Sequence, residues 1–428
     1  MLLQFNFKNF KSFMNEATLD LTATGISEYS NHIVHIQNEK VLPVCAIFGA
    51  NASGKSNIYQ AFQFMTFFVL DSFKFGGSED EKHDDDNSFP TIPSFAFVKD
   101  GDKESSFEVF FTLSNQKESY KTYNYGFALD KAGIVEEWLY EKRKPKGKNR
   151  CIFFRNRNNS ILEMDGLTSS QQENIKTSLE KEVLLISLGA KLKIEKCKEV
   201  RQWFYNNETF DFGSNLELVY RSRNLPNNFP DSLTQDKVLK FLKSFDESIK
   251  GFSIQETHDD ENKDKDNAQY IVKSLHKGID TDELFGINLQ QESAGTLKMF
   301  TMYQALIDVL ENGSVFFVDE LNARLHPLLV RNLVLLFINP GTNPHQAQLI
   351  FITHDTWHLS NNLLRRDEIW FTEKNPAGCS TLYSLAEFIC EDGGKVRKDE
   401  QYEKNYLLGK YHAIPSLKTF NLIFDDFQ

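Results

Sequence analysis

The sequence predicts an α/β fold with a buried parallel sheet, an antiparallel β portion and a mostly helical insertion. Three observations predict it. Apolar runs at Val44–Phe48, within Ser314–Glu320 and at Leu349–Ile352 each end in a glycine-rich or charged turn, as strands buried on both faces do. After the first turn, Ile58, Ala61, Phe62, Met65, Phe68 and Val69 recur at helical spacing. Between about residues 105 and 155 the texture is of short strands separated by Gly, Asn, Asp and Lys turns.

Residues 2–22 read as two strands around a turn, with Leu2, Leu3 and Phe5 in the first and period-two alternation over Ala17–Leu21 in the second. Ser106–Leu113, Tyr123–Leu129, Gly133–Lys142 and Cys151–Arg155 follow as strands. The stretch from Thr168 to Phe245 is mostly helical, Phe252–Glu256 and Tyr270–Leu275 return to strand, and α/β texture resumes from Leu289 to about Leu385. Four segments are expected: 1–75, an N-terminal lobe with the glycine-rich loop; 76–167, an antiparallel β subdomain; 168–284, a mostly helical insertion with strands near its end; and 285–428, a C-terminal lobe. No internal repeat and no sustained heptads occur, so a long coiled-coil arm is not expected.

The bulk numbers narrow the function classes. A chain of 428 residues can hold one large domain with an insertion, or two domains. Hydrophobic residues at 40% and charged residues at 25% are ordinary for a globular protein, and the 38 phenylalanines read as core filling. No apolar run approaches the roughly 20 residues that span a bilayer; the longest, Ala61–Leu70, contains Gln63 and Thr66. The start lacks a basic n-region, so no signal peptide is expected. Cys45, Cys151, Cys197, Cys379 and Cys390 form no CxxC pair, which argues against a zinc site or disulfide framework and for a reducing cytoplasm. A net charge of −12 argues against broad nucleic-acid affinity. The negative charge concentrates in Glu79–Asp86 and Asp259–Asp266, read as solvated loops. Lys142–Arg157 is the best basic segment, with Phe153 and Phe154 interleaved.

Four motifs carry the chemistry. Gly49-Ala50-Asn51-Ala52-Ser53-Gly54-Lys55-Ser56 fits GxxxxGK[ST] at every fixed position. Its glycines let the backbone wrap phosphates with inward N–H groups, and the following helix, opening through Asn57, adds the positive end of its dipole. Lys55 is the candidate for the β- and γ-phosphates of ATP, and Ser56 for Mg²⁺. Ser314–Glu320 ends an apolar run in two carboxylates: Asp319 is a candidate Mg²⁺ ligand, and Glu320 a candidate base that polarises the attacking water. Ser293 and Gly295 precede a helix whose Leu297, Phe300, Leu306 and Leu310 share a face; the serine is an N-cap, a signature residue aimed at a γ-phosphate, or both. His354 closes the strand Leu349–Ile352 and is a candidate γ-phosphate sensor.

With these motifs in order, the chain resembles the ABC-type ATPases related to SMC and RecF. Phe7-Lys8-Asn9-Phe10-Lys11-Ser12-Phe13 is similar to the family's opening N-F-[KR]-S-F, which implies that Lys11 and Ser12 lie near the nucleotide phosphates. The resemblance implies a P-loop NTPase with an ABC-type ATPase head. Asp319-Glu320-Leu321-Asn322-Ala323-Arg324-Leu325-His326-Pro327 resembles the D-E-x-[DE]-x-x-L-H-P of the branch holding RloA-like proteins, OLD-family ATPases and AriA. Val396–Asp399 and Tyr406–Tyr411 look like the C-terminal hallmark of its RloA/AriA-like group. The likeness covers roughly residues 1–75 and 285–415. Asn322 stands where the D-loop is usually acidic, and no Q-loop glutamine is evident. No Toprim nuclease motif follows His354, so the resemblance implies a chain that controls a separately encoded, nuclease-like effector in phage defence by abortive infection. It also implies a homodimer, or a higher homo-oligomer, formed through the ATPase heads.

Two other functions compete. One is a RecF/SMC-like ATPase of DNA repair or maintenance, for which Lys142–Arg157 makes nucleic acid a candidate partner. The other is a nucleotide-dependent scaffold with little hydrolysis, against which Glu320 counts.

Overall fold

The computed structural model describes residues 1–76, 89–97, 104–114, 120–142, 149–257, 269–390 and 393–415. Both acidic runs, and residues 143–148 of the basic segment, lie outside the described residues. The chain divides into two compact units, one of residues 2–204 with 352–428, the other of 205–351 with Met1.

The first unit begins with a hairpin of β1 (Leu2–Lys8) and β2 (Ala17–Asp20). A second small hairpin joins β3 (Val34–Ile36) to β4 (Glu39–Val41). Next, β5 (Val44–Gly49) is buried at all six residues and runs into the turn from which α1 (Lys55–Asp71) starts. Five strands follow: β6 (Ser105–Ser114), β7 (Tyr120–Asp130), β8 (Gly133–Lys142), β9 (Arg150–Asn156) and β10 (Ile161–Glu163). With the first hairpin they make a seven-stranded antiparallel sheet in the order β10-β9-β8-β7-β6-β1-β2. Three helices come next: α2 (Ser169–Ser178), α3 (Leu185–Lys191) and α4 (Glu195–Asn206).

Helix α1 lies on this sheet, and phenylalanine makes the contact. Phe62 meets Phe5 edge-on at 5.4 Å, Phe64 meets Phe107 at 5.1 Å, and Phe68 stacks on Phe127 at 5.5 Å. Burying such a ring is worth about 1.5–3 kcal/mol, so the helix behind the glycine-rich loop has a rigid bed. Polar pins add direction. The fully buried Glu137 carboxylate accepts from the N–H groups of Leu185 and Ile186 at 2.7 and 2.9 Å and pairs with Arg155 at 2.8 Å. A buried carboxylate this well satisfied fixes the start of α3 against β8.

The second unit opens with β11 (Glu208–Asp211), α5 (Asn215–Arg223) and α6 (Ser232–Lys243). An antiparallel sheet of β12 (Ile249–Thr257), β13 (Gln269–Lys277) and β14 (Leu284–Asn288) follows. Then come α7 (Ala294–Asn312), β15 (Val315–Asp319), α8 (Pro327–Ile338) and β16 (Gln348–Ile352). Strands β11, β15 and β16 run parallel, and β15 and β16 are buried throughout, as their continuous apolar composition dictates.

The chain returns to the first unit with β17 (Ile369–Lys374), β18 (Ser380–Ser384) and α9 (Tyr402–Leu407). β17 pairs parallel with β5, placing Thr372 opposite Gly49, and β18 pairs antiparallel with β17. The parallel strands and the strand–loop–helix at Gly49–Ser56, with an antiparallel sheet and helices besides, make this the α/β fold of a P-loop NTPase.

The described end of the basic segment is tied to the sheet. Phe153 is fully buried, Arg155 is held by Glu137 and by the Val183 carbonyl at 2.7 Å, and Arg157 pairs with Asp130 at 2.5 Å.

Candidate functional site

In the first unit, the loop at Gly49–Ser56 is held by its own lysine. Lys55 is buried, and its Nζ donates to the carbonyls of Gly49 and Ala50, both at 2.8 Å. Ala52 sits at φ 61°, and Gly54, the N-cap of α1, at φ 111° with no side-chain cap. The start of α1 is therefore open to an anion, with helix-end N–H groups and the buried ammonium on hand. Asn51 and Ala52 are exposed at the loop tip, and Ser56 and Asn57 are half-buried in the first turn. This donor set fits a phosphate chain.

The N-terminal basic motif reaches the same loop. Lys11, at φ 49°, donates from Nζ to Gln60 Oε1 on α1 at 2.5 Å, and burial lowers its pKa. Ser12 Oγ accepts from Asn57 Nδ2 at 2.6 Å. His354 is exposed just past β16, where the Thr353 N–H donates to the Ile47 carbonyl of β5 at 3.2 Å.

The second unit gathers the carboxylates. Asp211 ends β11 directly opposite Asp319 at the end of β15. Asp319 Oδ1 accepts from the Glu320 N–H at 3.0 Å, and Glu320 itself sits at φ 52°, a left-handed conformation that costs a non-glycine residue about 1–3 kcal/mol. The turn continues with Ala323 N donating to Glu320 O at 2.8 Å and Leu325 N to Asn322 O at 3.1 Å. The Glu320 carboxylate lies over Gly213, where an added Cβ would come within 2.8 Å of Oε2. Only glycine leaves that side chain its place.

Helix α7 abuts the same turn. Ser293 is its N-cap: the hydroxyl accepts from the Thr296 N–H at 3.1 Å and lies 2.8 Å from Thr296 Oγ1. Gly295 is next to the Arg324 carbonyl, which an added Cβ would approach to 3.3 Å. One turn on, Lys298 is buried and donates to the carbonyls of Phe212, at 2.5 Å, and Ala323, at 2.7 Å. Burial, with Arg324 nearby, lowers its pKa to about 8, against the opposing pull of Glu320 and Asp211. The L-H-P run has a local physical account: His326 Nδ1 accepts from the Leu328 N–H at 3.2 Å as N-cap of α8, and Pro327 takes the first helical position.

Within the first unit Lys11 reaches α1 at Gln60, and Ser12 meets Asn57 in the first turn of that helix; within the second, Asp319 and Glu320 adjoin, and Gly295 lies beside Arg324 of the turn that follows them. Thr372, Ser380, Gln60, Asp211 and Lys298 also belong to these clusters and carry no motif. Among the described residues no cluster of His, Cys, Asp and Glu forms a metal site by itself. No helix of the described residues is long and apolar enough to cross a membrane.

A family model described as "AAA domain, putative AbiEii toxin, Type IV TA system" matches residues 44–357, from the first residue of β5 to just past His354. No curated protein matches significantly. Similar solved structures include an SMC head bound to the C-terminal winged-helix domain of ScpA, at 17% identity and TM-score 0.40, covering 90% of this chain and 97% of that one. Another is the SMC head domain from Thermotoga maritima, at 16% identity and TM-score 0.40, covering 90% and 98%.

Proposed function

The chain belongs to the AAA-domain ATPase family described as putative AbiEii toxin of type IV toxin–antitoxin systems, and from that premise we propose that it is an ATP-hydrolysing switch controlling a separately encoded effector. The observation that carries the reading is the loop of the first unit, with Lys55 folded back on the Gly49 and Ala50 carbonyls beside an uncapped helix start. Gly49, Asn51, Ala52, Ser53, Gly54 and Lys55 wrap the phosphates of ATP, and Lys11 adds charge beside them. Ser56 and Asp319 would hold Mg²⁺, which would supply positive charge to the phosphate oxygens. Glu320 orients and polarises the attacking water, His354 senses the γ-phosphate, and Ser293 with Gly295 serves the nucleotide of a second copy of the chain.

The branch we favour is the RloA/AriA/OLD-like one, and the role is antiviral defence by abortive infection in the cytoplasm. Arg155 and Arg157 at the end of the basic segment are occupied by Glu137 and Asp130; direct action on DNA is the second reading, and it rests on residues 142–150 of that segment.

Lys55→Ala tests the nucleotide site. A charge-assisted contact of this kind is worth on the order of 1.5–3 kcal/mol, so calorimetry should read an ATP affinity at least about tenfold weaker. Equal affinity in the two proteins would remove the site from the account.

A further inference from the structure

Behind the glycine-rich loop a chain of hydrogen bonds joins two of the motifs through Ser380, which belongs to neither. Asn57 Nδ2 is 2.6 Å from Ser12 Oγ, Ser12 Oγ is 2.7 Å from Ser380 Oγ, and Ser380 Oγ is 2.6 Å from the Ser53 carbonyl. All three serines are buried. Proton counting orders the chain. A carbonyl only accepts and an amide NH₂ only donates. The single proton of Ser380 therefore goes to Ser53 O, Ser380 accepts from Ser12, and Ser12 accepts from Asn57. Each hydroxyl proton has one place to go.

We infer that Ser380, on β18, is a positioning residue for the phosphate cradle: by holding the Ser53 carbonyl it sets the direction of the Gly54 N–H. The two groups belong to one planar trans peptide and point opposite ways. Drawing the carbonyl toward β18 turns the N–H away from β18, to the face where the nucleotide reading, on which this inference rests, puts the phosphates. Two further contacts brace the arrangement. Ser53 Oγ lies 2.5 Å from Thr372 Oγ1, and the Ser380 N–H donates to the Ser12 carbonyl at 2.8 Å. Gly54 is fitted to the relay, because an added Cβ would stand 2.5 Å from Ser380 Oγ and 2.9 Å from Ser12 Oγ. Ser12 then serves the loop from behind, with its proton committed to Ser380 rather than to a phosphate.

The test compares full-length wild type, Ser380→Ala and Ser380→Thr. Ser380→Ala removes two neutral hydrogen bonds, and losing the one that holds the Ser53 carbonyl predicts ATP binding about 3- to 10-fold weaker. The rate at saturating ATP should stay close to wild type, while the nucleotide-free protein should melt slightly lower, because the buried Ser53 carbonyl and Ser12 hydroxyl lose a partner. Ser380→Thr, which keeps the hydroxyl, should regain most of the affinity. Ser12→Ala removes the upstream donor and leaves the bond to Ser53, so it should weaken binding less. Wild-type affinity in Ser380→Ala overturns the inference. So does a loss of saturated rate in step with affinity, which marks packing alone. If wild type itself binds no ATP, and Lys55→Ala behaves identically, the nucleotide reading falls and takes this inference with it.

Discussion

At the scale of single residues, Glu320 is the most constrained group of the account. It holds a left-handed backbone at the end of β15, and its carboxylate rests on Gly213. Strain of this kind persists only where surrounding structure over-determines it; here β11, β15 and the turn to Leu325 do so. Glu320→Gln keeps the shape over Gly213 and removes the basic oxygen. ATP affinity should stay within about threefold while hydrolysis slows by about 10²–10⁴, read by calorimetry and phosphate release. Hydrolysis at the wild-type rate would take the role of base away from Glu320. Glu320 could be singled out in the sequence because it closes a contiguous apolar strand at a charged turn. Thr372, Ser380 and Asp211 could not: their meaning comes from partners on other strands, and for Ser380 that partner is Ser53, 327 positions away.

At the scale of elements, α1 and β5 formed as their apolar spacing dictates, and the residues expected on the buried face of α1 are all buried. The basic segment left two readings open, a nucleic-acid contact and a solvated hairpin tip. At its described end Arg155 and Arg157 pair with Glu137 and Asp130, partners from other strands that the local sequence did not announce. Helix α7 carries a testable electrostatic consequence. Lys298 titrates near about 8 in the fold and near roughly 10.4 in the unfolded chain. Below pH 8 both states hold the proton and the fold bears the full cost of burying the charge. Between those values the unfolded state binds more protons, so stability rises with pH. Urea denaturation of wild type and Lys298→Met should show the wild type gaining stability relative to the variant from pH 8 to 10. A pH-independent difference would mean that Lys298 is not buried as a cation.

At the scale of the whole molecule, the candidate residues fall in two units of the chain, and the proposed chemistry needs both. Ser293 presents its hydroxyl at the exposed start of α7, while Lys55 is buried behind the loop of the first unit. In the proposed dimer two copies of the chain would join them, with two equivalent composite sites related by a two-fold axis. Closure of such a dimer would exclude water and bring the α7 dipole to the γ-phosphate. Nothing in the sequence near Ser293 distinguished a helix cap from a signature, because the same hydroxyl serves both, and the cap is what the free chain displays.

The most direct measurement mixes two inactive proteins, Lys55→Ala and Ser293→Arg, under conditions where subunits exchange. A mixed dimer has one whole site, built from the intact loop of the Ser293→Arg chain and the intact Ser293 of its partner. Random exchange puts half of the dimers in that state, so ATPase activity should return to about one quarter of the wild-type rate. Proven mixed dimers with no recovered activity, or a Ser293→Arg protein that hydrolyses ATP as fast as wild type, would contradict the shared site.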